Sequence, residues 1–334
     1  MSIDRVFAAA CRQPLAILPS KIDEISAFLE LRSKGVRFTP NEIQARVGSG
    51  RTGATASAPT SIAVIPVIGI ISHRAPLIND MSSGGGTSTQ QVGAALRAAL
   101  ADPAVGSIVL DVDSPGGSVN GVPELADEIF AGRRKKPIIA QVNALAASAA
   151  YWIGAAASEV VMTPSGEVGS IGVYMMHRDV SVAAAADGLK ITFVSSTDSP
   201  FKVEGNPYEP LSDEARRHLQ VEVDRYMGDF LSAVARGRGV SAAKVKSDFG
   251  QGRTVGARDA VRLGMADRIA TLRQTLTRLS SSTPAARSPS ASSAFAASPR
   301  DQLRVERQIF RMVTSDDPAE RLKGQRLRLE MQNR

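Results

Sequence analysis

Cysteine is nearly absent from this chain: Cys11 is the single one in 334 residues. That excludes an internal disulfide framework and a Cys-rich zinc site, and it suits a reducing compartment. Only three histidines occur, His73, His177 and His218, and none lies in an HExxH pattern. A zinc-peptidase centre therefore has no ligand set. There is no GxxxxGK[ST] loop, no GxGxxG and no GxSxG, so P-loop, dinucleotide and nucleophile-elbow readings have no support. Gly166 to Gly172 is glycine-rich but does not match a phosphate loop. No metal and no cofactor is expected.

Aromatic residues are also scarce, at 4%. The net charge is +7, yet the basic residues are scattered and not interleaved with the aromatics that a single-strand stacking platform needs. The longest basic run, Arg133-Arg134-Lys135-Lys136, falls between an expected helix and an expected strand and reads as a solvated turn. Nucleic acid is not an expected partner. The N-terminus has no basic segment followed by a clean apolar core, so no targeting signal is read there. Ile138 to Ala157 matches a membrane span in length, but Gln141, Asn143 and Ser148 interrupt it. It reads as a buried strand followed by a buried helix, and no membrane span is expected.

Apolar residues, at 43%, are sufficient for a core. Residues 1–50 read as a helical preface, with Ile22, Ile25, Phe28, Leu29 and Leu31 on a rough amphipathic helix. Residues 51–61 have linker composition. From residue 62 to 278 strands and helices alternate: Ile62–Ile71 and Ser107–Val112 as strands, Gln90–Ala101 and Val119–Ala131 as helices, then a strand from Pro137 and a helix over Ala147–Ala157. That order indicates parallel β/α packing. Ser212 opens a long amphipathic helix to Arg236, ended by Gly237 and Gly239. Residues 279–300 are rich in Ser, Ala and Pro and read as a flexible linker. Residues 301–334, with eight basic and six acidic side chains, read as a charged tail.

Two short motifs could carry chemistry. Asp113-Ser114-Pro115-Gly116-Gly117 follows a strand, and a glycine pair there leaves backbone N–H groups open to a substrate backbone or a developing oxyanion. The plain alternative is an ordinary turn. Ala146-Ala147-Ser148-Ala149-Ala150 opens a helix, where the first N–H groups favour negative charge. The plain alternative is that Ser148 is only a helix cap. Lys202, taken alone, reads as a surface lysine on a loop.

Together these motifs resemble a known pattern. Ser148 follows Gly117 by 31 residues, and Gly169-Ser170-Ile171-Gly172-Val173 and the closing segment Gly252-Arg253-Thr254 to Asp267 follow in order. Over roughly Ile62 to Ala270 the chain resembles the signal peptide peptidase A family of serine peptidases, including its tailed-phage head maturation branch. The resemblance implies an α/β fold with a Clp/crotonase-like core of repeated β-β-α units arranged as a superhelix. It implies a Ser–Lys dyad, with Ser148 as nucleophile, Lys202 as general base and Ser170 orienting the lysine. The N–H groups of Gly117 and Ala149 would form the oxyanion hole, and Gly116 and Ser118 would bind substrate backbone. Two departures stand out: Ala149-Ala150 where family members often carry glycine, and Val203-Glu204-Gly205 after the lysine.

The chemistry constrains these roles independently. A serine attacks an amide only if its proton has an acceptor, and a lysine accepts one only when burial favours its uncharged form. A rival triad would use His177, with Asp179 beside it. A crotonase-type acyl-CoA chemistry fits the fold but leaves Ser148 without a role. The resemblance implies a homo-oligomer acting on protein substrates. In the phage setting these are scaffold or capsid proteins, and the location is the host cytoplasm or the prohead. The alternatives are a membrane-associated signal peptide peptidase and a catalytically inactive structural protein on the same fold.

Overall fold

The computed structural model describes residues 14–21, 61–74 and 86–282. The core is a parallel sheet built around a ten-residue strand. In chain order its strands are β2 (Ser61–Ile68), β5 (Val105–Ser114), β7 (Ile138–Ala147), β8 (Glu159–Met162), β9 (Glu167–Gly169), β10 (Thr254–Gly256) and β11 (Arg268–Ile269). β2, β5 and β7 pair in parallel. β7 then has two further parallel neighbours on its other edge: Ile139 to Val142 pair with β8, and Leu145 to Ala147 pair with β9. β10 closes antiparallel on β9, and β11 lies parallel to β8.

A second, smaller sheet stands beside the first. It contains β1 (Leu15–Ile17), β6 (Gly116–Ser118), β3 (Ile71–Ser72) and β4 (Thr87–Ser88), in that order. The chain thus repeats one unit: a long strand in the main sheet, a short strand in the small sheet, then a helix. β2, β3, β4 and α1 (Thr89–Ala101) form one such unit, and β5, β6 and α2 (Val122–Gly132) the next. The sequence expectation of repeated β-β-α units in an α/β fold is met.

Apolar residues on both faces of β5 and β7 explain why both faces are covered. One face packs against α1, α2, α3 (Ala149–Ala155) and α5 (Asp213–Arg238) in one continuous core. Trp152 of α3 stacks on Phe230 of α5 with ring centroids 4.5 Å apart. Where these two helices cross, a Cβ on Gly237 would meet the Ala155 carbonyl oxygen at 2.1 Å, so only glycine permits the approach. The other face buries Val109, Ile139 and Val161 against Leu279 of α8 (Leu272–Ser282). A polar bolt fixes that helix: Thr275 Oγ1 donates to Gln141 Oε1 at 2.6 Å, and Gln141 Nε2 donates to the Ala270 carbonyl at 3.0 Å.

Three expectations are corrected. Pro14 to Lys21 lies within the span read as a helical preface, yet Leu15–Ile17 is a strand, because its backbone finds partners on β6. The helix expected over Ile22 to Leu31 lies outside the described residues. The span read as linker begins too early, because α8 runs through Leu279 to Ser282 and Leu279 is buried. The linker beyond residue 282 and the charged tail lie outside the described residues. The basic run at Arg133 is more than a solvated turn. Lys136 Nζ donates to the carbonyls of Ala99 and Asp102 at the C-terminal end of α1, where a cation is favoured. Arg133 Nη1 reaches the Ala157 and Gly237 carbonyls.

Ile138 to Ala157 is a strand followed by a helix, as read from the polar interruptions. Among the described residues no helix is long and apolar enough to cross a membrane. The long helix starts at Ser212, whose side chain accepts the Ala215 N–H, and ends on Gly239 in the left-handed region.

Asp267, in the closing motif, ties the end of that helix to the sheet. It accepts two hydrogen bonds from Arg238, at 2.9 and 2.7 Å, and one from the Val160 N–H at 2.7 Å. Burial raises its pKa, but these donors outweigh burial and hold it below the usual aspartate value. A depressed folded-state pKa stabilises the fold fully above the unfolded value, near pH 4, and is lost as pH falls through the folded value. Asp267→Asn should therefore cost about 2 kcal/mol at pH 7, leaving the buried Arg238 guanidinium poorly paired. The difference from wild type should shrink below about pH 4. Chemical denaturation at several pH values measures both.

Candidate active site

The two glycines after β5 sit where three backbones converge. Gly116 has φ +98°, and a Cβ there would lie 2.2 Å from the Ala16 carbonyl oxygen, 3.0 Å from that of Ala147 and 3.1 Å from the Ala149 nitrogen. A Cβ on Gly117 would fall 1.8 Å from the Ile71 carbonyl oxygen. The pair is therefore required by close approach on both sides, which goes beyond an ordinary turn. Ser114, fully buried, accepts the Gly116 N–H on its Oγ at 3.1 Å.

Ser148 follows β7 directly. Its backbone has φ +55° and ψ −118°, a conformation costly for any residue with a Cβ. Its N–H donates to the Gly169 carbonyl at 2.7 Å, and its own carbonyl accepts the Trp152 N–H at 3.0 Å as α3 begins. The side chain makes no capping bond to that helix. Its Oγ donates instead to the Gly172 carbonyl at 3.3 Å, across to the segment after β9. The helix-cap alternative is thereby set aside: the strained backbone directs a buried hydroxyl away from the helix end.

Ser170 is placed by the same register. Ala147 pairs with Gly169 in parallel, so Ser148 and Ser170 are the next residues on two adjacent strands. Both have positive φ and both are buried. The Ser170 N–H donates to the Arg253 carbonyl at 2.8 Å, which draws the closing motif against the site. Ala149 is the first residue of α3, where an N–H has no intrahelical acceptor, and it faces the same point as Gly116.

Lys202 is brought to none of these. It lies in a one-turn 3₁₀ helix, Pro200–Val203, and is exposed. Among the described residues its ammonium has no hydrogen bond to Ser148 or Ser170. The segment carrying it, residues 181–208, is largely solvent-facing and displays apolar side chains: Val194 is 93% exposed, Val182 82% and Phe201 56%. His177 is no substitute. Its Nε2 is 3.0 Å from the Asn206 carbonyl, and Asp179 is exposed and accepts the Ser181 N–H. The rival triad is not assembled. His73 is half-buried beside Thr89, Nδ1 to Oγ1 at 3.1 Å, so it is not the solvated side chain its arginine neighbour suggests.

Sequence reasoning missed the N-terminal strand. Leu15–Ile17 lies antiparallel along β6 and so borders the glycine pair. A signal was present, since Pro14 and Pro19 bracket a four-residue apolar run as prolines bracket short edge strands. Asp113 and Asp111 were also passed over. Burial raises both carboxyls, opposed at Asp113 by the Leu145 N–H and at Asp111 by Asn143. These contacts tie the upper end of β5 to β7. Among the described residues no group of three His, Cys, Asp or Glu could hold a metal ion.

A buried serine hydroxyl on a strained turn, a second serine beside it and N–H groups at a helix start can together attack a carbonyl and receive its charge. Comparisons with known proteins agree with this chemistry. Residues 131–285 match peptidase family S49. The chain is 31% identical over 258 residues to the head-tail preconnector protein GP5 of Enterobacteria phage P21, covering 73% of this chain and 51% of that protein. It is 35% identical over 208 residues to capsid assembly protease C of Escherichia phage lambda, covering 62% and 46%. It is 32% identical over 185 residues to protease 4 of Salmonella typhi, covering 55% and 29%. The chain spans about half the length of the phage relatives it matches.

The positive φ of Ser148 gives a stability signature. Ser148→Gly should be more stable than Ser148→Ala by about 1 kcal/mol, because only glycine is relieved of the Cβ clash. For a domain of this size that is about 2–4 °C in Tm by calorimetry. Equal melting temperatures would mean that the turn is unstrained.

Proposed function

We propose, from the membership of residues 131–285 in peptidase family S49 and from the buried, strained Ser148, that the chain is a serine endopeptidase of phage head maturation. Ser148 attacks the peptide carbonyl, and the bond between its Oγ and that carbon forms as the Oγ proton leaves. The N–H groups of Gly117 and Ala149 receive the oxyanion. The protonated base returns the proton to the leaving amine, and water then hydrolyses the acyl-enzyme. Lys202 is the base, Ser170 orients it, and Gly116 and Ser118 hold the substrate backbone. The observation that carries the reading is the side-by-side placement of Ser148 and Ser170 at the ends of paired strands.

The exposure of Lys202 sets a condition on this mechanism. Among the described residues Lys202 makes no hydrogen bond to Ser148, so it must be brought against that hydroxyl, in surroundings that favour an uncharged amine, before catalysis. The apolar side chains exposed on the same segment, residues 181–208, supply a surface that a second copy of the chain would cover. Homo-oligomerisation therefore completes the base. The substrates are scaffold or capsid proteins, the kind of protein that the names of the phage relatives point to, and the work is done in the host cytoplasm within the forming prohead. An inactive structural protein on the same fold is the second reading, favoured by the lysine's distance from hydrogen-bonding partners in one copy.

Ser148→Ala should abolish cleavage of a co-expressed capsid or scaffold protein while leaving the far-ultraviolet circular dichroism unchanged. Lys202→Met should be nearly as damaging, about 10²–10⁴-fold, the range for loss of a general base. His177→Ala should change the rate little. Undiminished cleavage by the Ser148 variant removes the nucleophile assignment, and an inert wild type under assembly conditions favours the structural protein.

A further inference from the structure

The strand beside the glycine pair is the chain's own N-terminal segment, and its hydrogen bonds are those of a bound peptide. On one edge, the Val119 N–H donates to the Pro14 carbonyl at 3.1 Å and the Leu18 N–H donates to the Pro115 carbonyl at 3.0 Å. Bonded and non-bonded pairs alternate in an antiparallel ladder. Ala16, midway between Pro14 and Leu18, is paired with Gly117, so these two residues exchange both bonds. The Gly117 N–H is thus given to the Ala16 carbonyl. On the other edge, Leu15 exchanges both backbone bonds with Tyr174, at 2.9 and 3.0 Å.

The location is specific. Tyr174 lies two residues past Gly172, the acceptor of the Ser148 hydroxyl. The gap between β6 and residues 172–174 is therefore the gap that Ser148 borders. The Ala16 carbonyl oxygen and the Ala149 nitrogen both lie within 3.1 Å of the point where a Gly116 Cβ would be. Leu15, Ala16 and Ile17 are all buried, and Ala16 is wholly so. An alanine, with the smallest side chain available to a chiral residue, stands opposite Gly117.

We propose that Pro14 to Leu18 is an internal occupant of the peptide groove, seated as a substrate strand and excluding others until it is displaced. The groove accepts an extended, aliphatic segment with a small residue opposite Gly117, and the chain supplies such a segment itself. The bond it presents is Ala16–Ile17. That bond is kept intact in the single copy because the Ser148 hydroxyl is directed to Gly172 and Lys202 is exposed. The inference rests on the site placement given under the proposed function, but its test reads binding and does not require hydrolysis.

The test uses the full chain with Ser148→Ala, so that nothing is cut, and a fluorescent peptide copying residues 12–20. Ala16→Trp in that background cannot seat its indole in a wholly buried alanine site and should release the strand. The peptide should bind the released protein at least tenfold more tightly than the parent. A peptide with tryptophan in place of its own alanine should not bind. A chain starting at residue 22 is the second variant and should behave like Ala16→Trp. Equal binding to parent and variants would overturn the proposal. So would loss of the folded state in both variants, since the strand would then be an integral part of the core. Hydrolysis by the Ser148-intact protein is measured separately, and its absence would count against the Ser–Lys reading alone.

Discussion

The site depends on one strand having two neighbours along the same edge. Over Ile139 to Val142, β7 is bonded to β8, and over Leu145 to Ala147 it is bonded to β9. The chain between those two short strands makes a turn at Thr163 to Gly166, closed by the Gly166 N–H on the Thr163 carbonyl at 2.9 Å. The register that results leaves Ser148 and Ser170 as the first residues beyond the ladder. A one-residue slip would turn one of them to the other face. Packing on both faces of β7 resists such a slip, since it would exchange Ile138, Ala140 and Val142 with Ile139 in two fitted cores and take Gln141 off Thr275 and Ala270. Apolar burial far from the hydroxyls therefore fixes the hydroxyls.

Much of this was legible in the sequence because it rests on local patterns. The apolar runs, the cap at Ser212 and the glycine stop at Gly239 specify their elements without reference to distant partners. The placement of Ser170 next to Ser148 came only through family resemblance, since the pairing of β9 with β7 is a long-range property. The N-terminal strand was not recovered for the same reason. Three residues cannot form a strand alone, and Leu15–Ile17 becomes one only because β6 and Tyr174 exchange backbone bonds with it. The glycine pair was singled out for a different reason from the one the structure shows. Open N–H groups were expected, whereas the larger constraint is that Ala16, Ala147 and Ile71 leave no room for a Cβ.

Lys202 marks the limit of residue-by-residue inference. Its position in the chain fits the family's base, yet a base is defined by its surroundings, and a single copy leaves this lysine in water. The same segment, residues 181–208, also exposes Phe201, Val194 and Val182, a run of apolar side chains that an isolated protomer leaves in water. Under the proposed function, covering that surface and bringing Lys202 to Ser148 are the same event. Under the proposed mechanism, catalytic competence then depends on protein concentration as well as on sequence.

The internal strand adds a second threshold of the same kind. A segment tethered to its own groove competes intramolecularly, at an effective concentration that dilution does not lower. A free substrate making the same contacts in dilute solution cannot match that, because it gains nothing over the tethered copy. Under the proposed function, substrate packed in an assembling shell can, because its local concentration is high. On that reading groove and base would be released together: a second copy would cover the apolar side chains of residues 181–208 and bring Lys202 into play, while packed substrate would outcompete Pro14 to Leu18. With both conditions required, the proposed protease would stay silent until its substrate is assembled, without a separate inhibitor.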